Sequence, residues 1–253
     1  MTNIFNDFEN DLELSLPADN LQAQEIDAER AFHRRRLGMF TASMIAKIMT
    51  GSRTKGEMFG ETAKKEIYRI AAERTLTDQG AELYIDELMK ADYKQTRWGK
   101  DNESDARELF CEKTGLMVDY CTSKRHREIP YFSATPDGIT EEGTLVEIKC
   151  PYNIAGMYDE DYVKSHIIQV QSQMAVWGGM GCYFVKYDPR LIDGIKIVEV
   201  ERDEDIIQNI ETRVKMANDM VIELIGADRN RGWEIRIGID AADMRPENTR
   251  NNN

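Results

Sequence analysis

Apolar positions recur along this chain with two different periods, and the change between them falls close to Gly115. Before it the spacing is helical. Ile45, Ile48 and Met49 form the apolar side of a helix that Thr41 is placed to cap and that runs through Met49. Helical patterns follow at 60–74, at 78–90 with Leu83, Ile85, Leu88 and Met89 apolar, and at 98–114, where Gly115 ends the last. Beyond that glycine, alternation with a period of two predicts strands at 117–122, 129–135, 144–150, 182–188 and 194–201. The second and third are joined through 139–143, and Asp188-Pro189-Arg190 is the turn between the last two. A helix over 159–178, stopped by Gly178-Gly179, interrupts the strands, and an amphipathic helix over 203–226 follows them. Asp27 to His33 predicts a short helix, and Trp233 to Ile237 a short extended piece. Helices, then a small sheet with an inserted helix, then a helix, define a mixed α/β (α+β) single domain.

Composition adds a core but no membrane span. Of 253 residues 41% are hydrophobic, and no run approaches the 18 apolar residues of a spanning helix. The N-terminus lacks a basic region followed by an apolar stretch, which argues for a cytoplasmic, reducing location. Cys111, Cys121, Cys150 and Cys182 are scattered with no CxxC spacing, so spacing supports neither a zinc nor an iron–sulfur site. Net charge is −13, which opposes non-specific attraction to nucleic acid. Its distribution changes that picture. Residues 1–29 carry eight acids and no Lys or Arg, whereas 30–55 carry seven bases and no acid. Residues 1–29 therefore read as an acidic, flexible leader, 30–240 as the folded domain and 241–253 as a polar tail. Within the basic stretch, Arg53 and Lys55 sit in a glycine-bounded loop, Gly51 to Gly56, and are weaker candidates for contact with DNA.

The candidate chemistry lies in Thr135-Pro136-Asp137-Gly138 and Leu145-Val146-Glu147-Ile148-Lys149-Cys150-Pro151. Strand alternation puts Leu145, Glu147 and Lys149 on one face and Val146, Ile148 and Cys150 on the other. Asp137, at a strand end where Gly138 permits a sharp turn, is close enough across a hairpin to join Glu147 and Lys149. Two carboxylates and the Ile148 carbonyl offer hard oxygen to Mg²⁺, and an ammonium beside them suits phosphodiester hydrolysis. With two carboxylates near it, Lys149 stays protonated at rest, so charge stabilisation is a more secure role than that of base. Glu103 supplies a third carboxylate from the helix over 98–114, one turn before Arg107 and on the side that Phe110 extends toward the core. Trp98 and Trp177 read as core residues, while His33, His126 and His166 are too dispersed for a zinc triad. Met157 or Tyr158, in the loop after the Glu-x-Lys strand, are placed to act as a strand-separating wedge.

These blocks, with Arg36-Leu37-Gly38-Met39-Phe40-Thr41-Ala42-Ser43, Trp98-Gly99-Lys100, Gln169-Val170-Gln171 and Tyr187-Asp188-Pro189-Arg190, occur in an order and spacing that resemble the phage lambda-type exonucleases. That group comprises the YqaJ-like viral recombinase nucleases of the PD-(D/E)xK superfamily. The resemblance spans about residues 33–225 and implies a restriction-endonuclease-like core with added N-terminal helices. It implies Asp137, Glu147 and the Ile148 carbonyl as ligands of Mg²⁺, replaceable by Mn²⁺, two ions to a site. Glu103 would act there directly or through water, and Lys149 would be the catalytic lysine. Arg36, Ser43, Thr135 and Gln169 fall where the family binds the 5'-phosphate or supports the scissile group; members often carry serine where Thr135 stands. Arg36 is independently suited to fork onto phosphate, and Ser43 lies near a helix start. Gln169 and Gln173 share a helix face, with Gln171 pointing away, and Gln169 is favoured at the site.

The resemblance further implies a homotrimeric ring threaded by linear duplex DNA with a 5'-phosphate, a single-strand annealing partner, and a phage or prophage gene expressed in a bacterial cytoplasm. The activity expected is Mg²⁺-dependent 5'-to-3' digestion of one strand, leaving 3' overhangs for recombination. The alternatives are an endonuclease of the same superfamily and a non-catalytic scaffold that binds DNA ends.

Overall fold

The site-bearing strands form the middle of a five-stranded sheet. The computed structural model describes residues 18–91 and 94–239. In chain order α1 (Ala18–Arg36) leads to β1 (Phe40–Thr41), α2 (Ala42–Ile48), α3 (Glu61–Arg74), α4 (Asp78–Lys90) and α5 (Lys94–Thr114). Five short strands follow: β2 (Val118–Asp119), β3 (Lys124–Arg125), β4 (Phe132–Ala134), β5 (Gly138–Thr140) and β6 (Leu145–Lys149). A 3-10 turn (Ile154–Met157), α6 (Asp161–Trp177), β7 (Gly181–Tyr187), β8 (Ile195–Glu201), α7 (Glu204–Ile225) and α8 (Ala227–Arg236) complete the chain.

The sheet order is β2-β5-β6-β7-β8, with β6 and β7 parallel and the other neighbours antiparallel. A parallel pair cannot be joined by a tight turn. α6 makes the crossover and ends at Gly178, whose φ of 79° is left-handed. Alternation along β6 sorts its side chains between two layers, as predicted. Leu145 packs with Val170, Met174 and Phe184 under α6, while Val146 and Ile148 pack with Ala106 and Phe110 of α5. Each aliphatic side chain fully buried in this way contributes about 1.5–3 kcal/mol. A second sheet, β1-β4-β3, lies beside a larger apolar cluster shared by α2, α3, α6 and α7.

Three expectations change. The segment after Asp137 is a separate strand, β5, which pairs with β6, so the 129–135 strand is not the hairpin partner of β6 and belongs to the second sheet as β4. Residues 233–237 lie in and just after α8 instead of an extended piece, because Trp233 is carried inward to Met39 and Ile239. The short helix expected at 27–33 is the end of α1, which starts at Ala18 and so crosses the boundary drawn at residue 29. Glu29 and Arg30 pair with Lys100, Glu82 and Asp86, which ties that helix to α5 and α4. Residues 1–17 and 240–253, holding the rest of the expected leader and the expected tail, lie outside the described residues. Among the described residues no helix is long and apolar enough to cross a membrane.

Candidate active site

Antiparallel pairing sets the start of β5 beside the end of β6. Gly138 is opposite Val146, and one further step of that register places Asp137 opposite Glu147. Asp137 Oδ2 accepts from the Ile148 backbone N–H at 2.6 Å, which locks the carboxylate against the strand. Gly138 is needed here for space rather than for turn geometry. A Cβ on it would lie 2.3 Å from Val118 Cγ1 and 2.8 Å from Arg107 Nη1.

Glu147 is 1% exposed, and both of its oxygens accept from donors. Lys149 Nζ and Gln169 Nε2 reach Oε1, the latter at 2.5 Å, and Gln173 Nε2 reaches Oε2 at 2.5 Å. Gln173, itself buried, is the residue that sequence reasoning passed over in favour of Gln169. Its position one helical turn further on the same face was the available signal. Gln171 points away as expected, bonding the Glu201 carbonyl.

Burial raises the Asp137 carboxyl well above the ordinary range, and Glu147 and Glu103 push the same way against Lys149. Burial alone would lower the Lys149 ammonium. Glu147 and then Asp137 outweigh it, so its pKa is raised and the lysine is charged at neutral pH. Asp137, Ile148, Lys149 and Glu103 line one cleft of about 800 Å³, with Lys100 and Tyr162 on its walls. Glu103 comes from α5, on the face of the sheet opposite α6, and its Oε1 is 3.3 Å from Arg107 Nη2.

The donor set is hard oxygen crowded with negative charge, which suits a divalent cation that keeps several waters. Among the described residues no three His, Cys, Asp or Glu side chains form a ready cage, since Glu147 turns to α6 and Glu103 to Arg107. The chemistry of Asp137, Glu147 and the Ile148 carbonyl suits a partial shell, although Glu147 is held by the amides of α6 and does not line the cleft.

Arg36 and Ser43 meet at a second locus. Arg36 Nη2 donates to Ser43 Oγ at 2.9 Å and to Thr41 Oγ1 at 3.2 Å. Thr41 occupies the position before α2, yet its hydroxyl makes no capping bond and serves this cluster instead. Lys47 and Arg69 line the same corner. A third hollow lies between this corner and the Asp137 cleft and shares lining residues with each. Thr96 and Lys100 line both the cleft and this hollow, and Phe32, His33 and Leu88 line both this hollow and the corner. Thr135 Oγ1 is buried without a hydrogen-bond partner, at the point where β4 leads into Asp137. Arg53 and Lys55 are exposed and line none of these three hollows.

Trp177 packs inward as expected and donates to the Ala134 carbonyl at 3.3 Å. Trp98 instead joins no apolar cluster; it is half-buried beneath Arg190, with Tyr152 edge-on to it. Met157 is fully buried and cannot act as a wedge, whereas Tyr158 is exposed.

A mixed sheet covered by helices on both faces, with Pro-Asp opening one strand and Glu-x-Lys closing its neighbour, is the architecture of the PD-(D/E)xK nucleases. A family model described as the YqaJ-like viral recombinase domain matches residues 31–180. The chain belongs to that family. Among solved structures it is similar to an alkaline exonuclease (LHK-Exo) from Laribacter hongkongensis, at 26% identity and a TM-score of 0.64. That match covers 81% of this chain and 98% of the other, with the same values for its complex with dAMP. A phage-related exonuclease from Haemophilus somnus 129PT shares the fold at 20% identity and a TM-score of 0.56, over 74% of this chain and 95% of that one. None of the curated proteins matches the chain.

Proposed function

We propose that the protein is a Mg²⁺-dependent 5'-to-3' exonuclease that digests one strand of linear duplex DNA and leaves 3' overhangs for recombination. The observation that carries this reading is the row of adjoining hollows from the Arg36–Ser43 corner to the cleft lined by Asp137, Ile148 and Lys149. A guanidinium flanked by two hydroxyls is a receptor for a terminal phosphate, and acidic oxygens with an ammonium are a hydrolytic centre. Set in a row of adjoining hollows, they favour attack counted from a chain end. The name of the Laribacter enzyme, an alkaline exonuclease, supports the same activity.

Asp137, Glu147 and the Ile148 carbonyl would hold the cation, and Glu103 would orient a water beside it. When bound, Mg²⁺ supplies Lewis-acid polarisation of a phosphoryl oxygen and a lowered pKa for bound water. Lys149, held charged by Glu147 and Asp137, orients the attacking water and stabilises negative charge that develops on phosphorus. Gln169 and Gln173 keep the Glu147 carboxylate directed. Arg36, Thr41 and Ser43 bind the 5'-phosphate, and Thr135 offers its unpartnered hydroxyl near the scissile group. A homotrimeric ring, the assembly of lambda-type exonucleases, would let topology retain the DNA and confine the need for positive potential to the channel.

The test is to incubate the protein with Mg²⁺ and either 5'-phosphorylated linear duplex or covalently closed circular duplex. Acid-soluble nucleotides from the linear form alone support the exonuclease. Cutting of the circle identifies an endonuclease, and binding without release a scaffold. Arg36→Ala is expected to erase the preference for a 5'-phosphate over a 5'-hydroxyl, with kcat on 5'-hydroxyl ends changed less than about twofold, because one charge-assisted phosphate contact contributes about 1.5–3 kcal/mol. Undiminished preference in that variant removes Arg36 from the phosphate site.

A further inference from the structure

We infer that Arg107 is a positioning residue for hydrolysis, one guanidinium that fixes both the Asp137 turn and the Glu103 side chain. The inference rests on the nuclease reading above. Arg107 is 7% exposed on α5. Its Nη2 donates to the Asp137 backbone carbonyl at 2.5 Å and to Glu103 Oε1 at 3.3 Å. A helix on one face of the sheet is thereby bonded to the backbone from which the Asp137 carboxylate projects. The bond to Ile148 N–H holds that carboxylate from the strand side, so backbone and side chain of Asp137 are each restrained by a separate donor.

The seat for this group is built by two other residues. Gly138 leaves the space in which Nη1 lies, since any Cβ there would be 2.8 Å from that nitrogen. Tyr120 covers the guanidinium from solvent, its ring centroid 4.0 Å from Cζ, although Tyr120 itself is 75% exposed. Arg107 Nε and Nη1 are nonetheless buried without acceptors. A residue retained only for packing has no need of a buried charge with two unmatched N–H groups, because such a group is costly to desolvate. What the guanidinium does supply is a planar group that stacks on a ring while the two N–H bonds of one terminal nitrogen, Nη2, reach two acceptors. Lysine can supply the charge and the stem, not the planar group that stacks on Tyr120 and fixes the direction of its N–H bonds.

The experiment compares the wild-type protein with Arg107→Lys and Arg107→Met in three measurements: thermal melting, Mn²⁺ uptake without DNA by electron paramagnetic resonance, and kcat and KM on linear duplex. Groups that orient metal ligands typically change affinity or activity by about 10–100-fold. Both variants are expected to bind Mn²⁺ at least about tenfold more weakly, with kcat reduced in step, KM for DNA within about twofold, and part of the rate restored by excess Mn²⁺. Arg107→Lys, which keeps the stem and charge, decides the matter if Arg107→Met does not fold. A folded Arg107→Lys with wild-type Mn²⁺ affinity and kcat overturns the inference, and so does one whose melting temperature alone falls. A wild-type protein that cuts DNA but shows no effect of either substitution thus separates failure of this inference from failure of the nuclease reading. The nuclease reading itself fails, and this inference with it, if the wild-type protein takes up no Mn²⁺.

Discussion

Lys149→Ala is expected to lower kcat on linear duplex by about 10²–10³-fold, the usual loss when a group aimed at developing charge is removed. Its stability should fall only modestly: the side chain is 26% exposed at the cleft, and Glu147, which loses its cation, keeps Gln169 and Gln173 as donors. Glu147 differs in this respect. A carboxylate on a strand reads as solvated, and on that ground truncation would cost little. The structure shows it 1% exposed and bonded to three donors. Glu147→Ala should therefore abolish cleavage and also destabilise, because the buried Gln173 amide loses its acceptor, at about 1–3 kcal/mol, and the half-buried Gln169 amide loses one as well. Glu147→Gln, close in shape, should lose activity with a smaller stability cost. Denaturant melts run beside the nuclease assay separate these outcomes. Equal stability of Glu147→Ala and wild type would rule out the buried network.

Arg74→Met should destabilise the fold by several kcal/mol, about 1–3 kcal/mol for each buried acceptor that loses its donor. Arg74 is 1% exposed and donates to the Gly38 carbonyl at 2.9 Å and to the Asn218 and Asn230 side-chain oxygens at 2.7 and 2.6 Å. Its guanidinium also lies 3.9 Å from the Trp233 ring centroid. Burial lowers its pKa to about 9, with Glu234, Tyr131 and Glu73 opposing, so it is a cation at neutral pH. Losing it strands three buried acceptors. For a chain of this size the melting temperature should fall by roughly 10 °C. The effect reaches the phosphate corner as well. Gly38, left-handed at φ 75°, is held by Arg74, by Glu73 through its N–H at 2.8 Å, and beside Leu37, whose carbonyl accepts from Trp233. This turn carries the chain from Arg36 to Thr41. Preference for 5'-phosphate ends should weaken in the folded fraction of Arg74→Met, even though Arg36 is intact. A variant that melts like wild type would show that the turn does not depend on this residue.

Much of the fold was legible because its signals are local and strongly periodic. Parity along Leu145–Lys149 sorted side chains between two layers correctly, and Gly178, Gly115 and Asp203 mark helix ends that the structure uses. The misses came where tertiary context overrides local pattern. β5 is only three residues long, so Gly138-Ile139-Thr140 reads as a turn until its pairing with β6 is seen. Trp233 and Ile235 favour strands by composition, yet α8 forms because Trp233 fills the space beside Arg74 and Met39. Thr41 has the position and residue type of a cap, but Arg36 competes for its hydroxyl. At the candidate site, Asp137, Glu147, Lys149 and Glu103 are singled out by type and spacing, whereas the second glutamine and Arg107 reach it through contacts with residues distant in sequence.

Whether these oxygens hold a cation is decided by calorimetric titration of Mn²⁺ into the wild-type protein and Asp137→Asn, each with a 5'-phosphorylated oligonucleotide duplex bound. Uptake by the wild type is expected, with at least about tenfold weaker uptake when one charged oxygen ligand is neutralised. Equal affinity in the two proteins, or no uptake by the wild type, would refute the assignment of Asp137 and Glu147 as the cation site.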